Sequence, residues 1–264
     1  TSARVELFET GLNEYKTIGT STSVSGNYVS IGGSLNPSSI TSSVLTGFST
    51  YYCIGMIWID TYYSYQTGNW NAFTTWTSDP SGTLQTGTTV PGNGDRVIIL
   101  SDRTVSLTSD VTASDLDLTI ESGGVLDQAA FRFTNTLNKL GGQGTLRLAS
   151  IYFPGATTNT FISSGGGTTE YYNSSDFTIP SSPATYYNLT INCTGHVATQ
   201  LSNLTIYGNL YIKSGTFRIN DNISTTKLSL TINGNVTVDN GASLTVGNGV
   251  TNPVIGSSGS GGTA

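Results

Sequence analysis

Short runs in which apolar and polar residues alternate dominate the chain. Examples are Val97-Ile98-Ile99, Val105-Ser106-Leu107, Leu116-Asp117-Leu118-Thr119-Ile120 and Leu146-Arg147-Leu148. A period of two marks a strand with one buried face. Gly, Asn, Asp or Ser bounds each run, and these residues supply turns and tolerate positive φ. Only Val5 to Tyr15 approaches the helical spacing i, i+3, i+4, i+7, and Gly11 interrupts it. The pattern predicts an all-β protein.

An internal repeat narrows the architecture. Residues 204–214 read LTIYGNLYIKS and residues 230–240 read LTINGNVTVDN, an offset of 26. Leu204 aligns with Leu230, Ile206 with Ile232, Gly208 with Gly234, Asn209 with Asn235, Leu210 with Val236 and Ile212 with Val238. A weaker echo is Leu118 to Val125. One such unit holds about three short strands, and none can bury its apolar face alone. Stacking unit on unit buries Leu204 against Leu230 and Leu210 against Val236. The expected fold is a right-handed parallel β-helix (solenoid) preceded by a small N-terminal β cap or domain, with the Asn-Gly steps stacked as ladders at the turns.

The expected boundaries are 1–67 for the cap or domain, 68–255 for the solenoid and 256–264 for a Gly/Ser-rich linker. Ser163 to Gly167 and Ile179 to Pro183 are expected to protrude as loops. No capping element is legible after Val246, so the chain reads as a piece of something longer. Residues 1–67 lack the repeat and carry an aromatic cluster, Tyr51, Tyr52, Trp58, Tyr62, Tyr63 and Tyr65. That cluster is either the core of a cap over the first coil or a candidate contact surface for a partner or sugar rings.

Composition excludes several function classes. Of the 264 residues 10% are charged, against about 25% in an ordinary soluble domain. Same-sign charges repeated in every coil would stack and repel, so Ser, Thr and Asn suit the surface better. The net charge of −6 disfavours nucleic-acid partners and anionic membranes. The longest apolar run, Cys53 to Ile59, is too short for membrane insertion as a helix. Cys53 and Cys193 make no disulfide framework, and two separate buried thiols are the simpler expectation.

Candidate chemistry is sparse. Asp115 and Asp117 are expected on one strand face, with Glu121 and Asp127 near them. Such a set suits Ca²⁺ or acid–base work, faintly as in β-helix pectin-degrading enzymes. No Arg or Lys is evident at a matching coil position to act as base, so a solvated face is the expectation. His196 is the only histidine, which excludes a His/Cys metal set, and no Gly-x-Ser-x-Gly turn presents a nucleophile. No catalytic, cofactor-binding or metal-binding residues are assigned, and no cofactor is expected. Asn173, Asn188, Asn192, Asn203, Asn222 and Asn235 open glycosylation sequons, which an Asn- and Thr-rich solenoid also produces by chance.

Gly68-Asn69-Trp70, Thr75-Trp76, the stretch Pro91 to Ile99 and Thr104-Val105-Ser106-Leu107 resemble an opening pattern of secreted Bacteroidota cell-surface adhesins. Tyr187-Asn188-Leu189-Thr190-Ile191 through Val246 resembles the coils that follow it. The resemblance covers about residues 68–250 and carries over no catalytic residue. It implies an exported, extracellular cell-surface protein of the type IX, gliding-motility kind. The expected function is a non-catalytic structural or adhesive module of a large adhesin or filament. Its expected partners are other cell-surface or secretion-machinery proteins or surface polysaccharide, with self-assembly as a further option. The alternatives are a β-helix polysaccharide lyase or glycosidase, and an end-to-end assembling filament subunit.

Overall fold

A computed structural model describes residues 60–219 and 228–247 in full and, ahead of them, the backbone of six strands. These are β1 (Ala3–Glu9), β2 (Glu14–Thr20), β3 (Ser23–Ser25), β4 (Tyr28–Ser30), β5 (Ser34–Leu35) and β6 (Tyr52–Trp58). One antiparallel sheet runs β2-β1-β6 and another runs β3-β4-β5. The expected shielding of the first coil by residues 1–67 rests on side chains outside the described residues, as does the linker 256–264.

From Thr61 onward the chain winds into stacked coils. The first holds β7 (Thr61–Ser64), β8 (Gly68–Asn69) and β9 (Trp76–Thr77), with a 3-10 turn at Phe73–Thr75. The next are β10 (Arg96–Ile99) with β11 (Thr104–Ser106), β12 (Asp117–Ile120) with β13 (Val125–Asp127), β14 (Leu137–Gly142) with β15 (Thr145–Leu148), and β16 (Ala156–Asn159) with β17 (Thr168–Tyr171). Then come β18 (Phe177–Thr178), β19 (Thr185–Tyr186), β20 (Asn188–Gln200), β21 (Leu204–Ile206) and β22 (Leu210–Ile219). The last described coil is β23 (Leu230–Ile232), β24 (Val236–Val238) and β25 (Ser243–Val246).

Apart from β9, strands pair in parallel with the equivalent strand one coil away, in register save for shifts around Asn192 where β20 meets β22. One face is the ten-stranded sheet, whose main path is β24-β22-β20-β17-β15-β13-β11-β8. A second sheet runs β16-β14-β12-β10-β7-β9, and a separate three-stranded one runs β19-β21-β23. This is a parallel β-solenoid. Its first parallel strand, Thr61–Ser64, lies upstream of the expected start at 68, and Tyr62 pairs with the buried core residue Val97. A tyrosine at a core position hides this strand from an aliphatic repeat search.

The interior is a column of inward-facing aliphatics. Val97, Leu118 and Leu140 stack across successive coils on one face, and Val105, Leu126 and Leu146 on another, all fully buried. Burying each such side chain contributes roughly 1.5–3 kcal/mol, more than any single surface hydrogen bond, so the column is the main stabilising element. Leu204 pairs with Leu230 and Leu210 with Val236, as the repeat predicts. Val236 is nonetheless 45% exposed, because no described strand pairs with the far edge of β24.

The coil length differs from the repeat seen in the sequence. The side chain of Asn188 contacts Asn209 across 21 residues, and that of Asn209 contacts Asn235 across 26. Both are the same contact: Asn Oδ1 accepts the backbone N–H of the Asn one coil later, at 2.9 and 2.8 Å. The preceding glycine makes room for it. A Cβ on Gly208 would lie 2.4 Å from Asn188 Oδ1, and one on Gly234 would lie 2.6 Å from Asn209 Oδ1. The Gly-Asn pair is therefore one coil-to-coil device.

The two expected protrusions also differ. Ser163, Ser164 and Gly165 are exposed, but Gly166 and Gly167 are buried against Phe161. Ile179 is buried, and only Ser181 and Ser182 stand out to solvent in its loop.

Candidate functional site

The first coil departs most from the repeat, and its side chains explain why. Trp70 and Trp76 are buried, packed edge-to-face with ring centroids 5.1 Å apart, and Trp76 Nε1 donates to the Trp70 carbonyl at 2.7 Å. Phe133 meets Trp70 at 5.4 Å and Tyr62 meets Trp76 at 6.4 Å, both edge-to-face. These rings plug the end of the aliphatic column. Gly68 permits the turn that places them, since a Cβ there would lie 2.4 Å from Thr75 Oγ1. β9 then runs antiparallel to β7 and is the outermost strand of that sheet among the described residues. A short reversed strand is a poor template for further parallel pairing.

Two carboxylates shape the segment 78–95 that joins β9 to β10. Asp79 accepts from Ser81 Oγ (2.7 Å) and from the backbone N–H groups of Ser81, Thr83 and Leu84 (3.0–3.1 Å). These bonds, the Ser81 hydroxyl foremost, hold its carboxyl well below the usual carboxylate range. Asp95 is 6% exposed and clamps the segment's far end, accepting from Gly92 N–H at 2.7 Å and Asp60 N–H at 3.0 Å. Burial pushes its pKa up despite both bonds. Two grooves flank this segment. One, about 400 Å³, is lined by Tyr65, Gln66, Thr67, Gly82, Thr83 and Arg103. The other, about 290 Å³, includes Asp60, Tyr62, Ser78, Thr86 and Thr89.

The acidic set Asp115, Asp117, Glu121 and Asp127, for which a solvated face is the expectation, does not assemble into a site. Asp115 has φ +57° and lies before strand β12, so it does not share a strand face with Asp117. Asp127 sits on the other sheet, and Glu121 is exposed past the end of β12. Basic residues do stand at matching positions: Asp117 pairs with Arg96 on one side and Lys139 on the other. The 26-residue offset misses them because these coils are shorter; Asn138 Nδ2 reaches Asp117 Oδ1 across 21 residues.

A second alternating column is fully engaged. Asp127, Arg147 and Glu170 are in register on β13, β15 and β17. Arg147 lies 3.1 Å from each carboxylate and 4.4 Å over the Tyr172 ring. Tyr172 donates to Asp127 at 2.5 Å, Asn192 Nδ2 donates to Glu170 at 2.7 Å, and Ser214 Oγ donates to Asn192 at 2.8 Å. Asp110 and Arg132 form a third, more exposed pair at 3.6 Å. Opposite charges thus occupy neighbouring coils, which turns the stacking repulsion of like charges into attraction.

Among the described residues no three His, Cys, Asp or Glu side chains form a metal-binding set. His196 Nδ1 lies 3.4 Å from Asp176 Oδ1. Cys193 is buried and free, and burial pushes its thiol pKa up; the side chain of Cys53 lies outside the described residues. Of the predicted aromatic surface, Tyr62 packs against the core and donates to or accepts from Thr89 Oγ1 at 2.8 Å, Tyr63 is half-buried, and Tyr65 lines the larger groove. Tyr51 and the side chains of Tyr52 and Trp58 lie outside the described residues. Several sequon asparagines serve the fold: Asn173 is buried, Asn188 and Asn203 accept backbone N–H groups of the next coil, and Asn192 bridges Glu170 and Ser214. Asn222 lies outside the described residues.

Sequence reasoning missed the structural roles of Trp70, Trp76 and Asp79, and it missed Arg103 altogether. Compared with family models, curated proteins and solved structures, the chain matches none. Gly68, Trp70, Thr75, Trp76 and Asp95 together build the first coil.

Proposed function

We propose that the chain is a non-catalytic structural and adhesive module of a large secreted cell-surface protein, of the type IX, gliding-motility kind that the motifs resemble. The observation that carries this reading is the stack of parallel coils, whose partly buried charged column is paired within itself. In the column Asp127–Arg147–Glu170 each carboxylate is committed to Arg147 and to a second donor. A glycosidase or lyase works through an acid and a base within reach of its substrate, and these two carboxylates are turned to protein partners instead. What remains is a stiff stack of coils, hydrogen-bonded along one axis, suited to reach and repeated weak contact.

Beads coated with the full chain should adhere to surfaces bearing cell-envelope polysaccharide. The same protein, incubated with acidic and neutral polysaccharides, should release no reducing ends or unsaturated products. Turnover abolished by Asp127→Asn or Glu170→Gln would replace this reading with the enzymatic one.

A further inference from the structure

Five Lys and Arg residues stand between residues 60 and 200. Two are ion-paired, Arg132 with Asp110 and Arg147 with Asp127 and Glu170, while Arg96 and Lys139 stand in register with Asp117 without an ion pair among the described residues. Arg103 is the fifth, and among the described residues no carboxylate lies within ion-pair distance of it. Its Nε donates to the Tyr65 carbonyl at 3.1 Å and its Nη1 to the Asp102 carbonyl at 3.3 Å. These bonds aim the planar guanidinium without neutralising it, and Nη2 makes no bond within the described residues.

Arg103 lines the groove of about 400 Å³. Its other walls are Tyr65, Gln66, Thr67, Gly82 and Thr83. Thr83 is held in place by Asp79, and Thr67 Oγ1 by the Thr104 N–H at 3.0 Å, so the walls are ordered by the fold itself. A compact inorganic anion is best held by several cations or convergent N–H groups. This groove has one oriented cation, an aromatic side chain and neutral hydroxyl and amide groups. That set suits a pyranose ring carrying one carboxylate: the guanidinium fork would take the carboxylate and Tyr65 the ring, while Gln66, Thr67 and Thr83 are bonded within the protein and shape the walls.

We propose that the groove beside Arg103 binds a hexuronate unit of an acidic polysaccharide. This rests on the reading of the chain as an adhesive surface module and names the class of ligand it would hold.

The test titrates the full chain with tetragalacturonate, and separately with its neutral methyl ester, following the Arg103 Nε–H resonance by NMR and the affinity by calorimetry. The acid should shift that resonance, and the ester should bind roughly tenfold more weakly, as expected for loss of a hydrogen bond to a charged group. Tyr65→Ala should weaken the acid without altering its preference over the ester, and Arg103→Gln should abolish that preference. Equal affinity for acid and ester in the unaltered chain would overturn the proposal without any question of folding. So would an unmoved Arg103 resonance. Beads of Arg103→Gln that adhere as well as the unaltered chain would leave the adhesive reading standing and remove this groove from it. Failure of the unaltered beads to adhere anywhere would remove the adhesive reading, while the titration still decides the groove.

Discussion

The first coil, residues 60–95, and the last two described coils, residues 204–246, solve opposite problems. The late coils must look alike, because each has to accept the next in register. They do so with a repeated Gly-Asn device and a repeated Leu/Ile/Val column. The first coil must end the pattern. It replaces aliphatics with Trp70, Trp76 and Tyr62, reverses strand direction at β9 and inserts the segment 78–95, fastened by Asp79 and Asp95. Propagation is written as repetition and termination as exception. The exceptional coil is also where the two grooves lie.

The largest effect that would sharpen this contrast is expected from Trp76→Ala. It removes a buried ring and the bond to the Trp70 carbonyl, and large aromatic-to-alanine changes cost about 3–5 kcal/mol. Because each coil contacts only its neighbours, amide exchange should quicken in β7 and β10 while β21 and β23 keep their protection. Equal loss of protection at both ends would mean the two regions unfold as one.

Gly208→Ala comes next. Its Cβ would meet Asn188 Oδ1 at 2.4 Å, and forced packing of this kind costs about 1–3 kcal/mol. Gly92→Ala is the control: its nearest neighbour would be Asp95 Oδ2 at 3.6 Å, so the denaturation midpoint should hardly move. If the two substitutions cost the same, glycine at the late turns has no steric role. Asn209→Ala should cost about 1 kcal/mol by depriving the Asn235 N–H of its acceptor, with exchange at that amide as the readout.

Acid should act on the first coil through Asp79. Asp79 binds its proton less tightly in the folded chain than unfolded, so its contribution is complete above the ordinary aspartate pKa of about 3.9 and is lost as pH falls below it. Between about pH 5 and 2, the Thr83 and Leu84 amides should lose protection before those of the Asn ladder, which has no titrating group. Identical acid profiles would show that Asp79 does not organise the segment.

This division explains what the sequence reveals. The stacked pairs Leu204/Leu230 and Leu210/Val236 are legible because two coils share residue types at a constant offset. The start at Thr61 is not legible, since Tyr62 and Ser64 occupy inward positions that a search for Leu, Ile and Val passes over. The charge columns escape notice because coil length varies: contacts between neighbouring coils span 20 residues at Arg147–Asp127 and 23 at Arg147–Glu170. No fixed offset aligns both. Arg103 is invisible for a related reason, because its significance lies in the carboxylate that the register does not place beside it. One signal was present: Gly68, Trp70, Thr75 and Trp76 cluster within a few residues where no repeat runs.

The central claim is that the coils stack in register along one axis, and a single distance tests it. Ser106 and Thr237 belong to one outward column, six coil steps apart through Asp127, Arg147, Glu170, Thr190 and Tyr211. At about 4.8 Å per coil their backbones should be about 29 Å apart. Spin labels on Ser106→Cys and Thr237→Cys, in a chain with Cys53→Ser and Cys193→Ser, should give one narrow distance distribution near that value by pulsed dipolar spectroscopy. A broad distribution, or a maximum below about 20 Å, would contradict the stacked solenoid, whose spacing per coil is fixed by backbone hydrogen bonding.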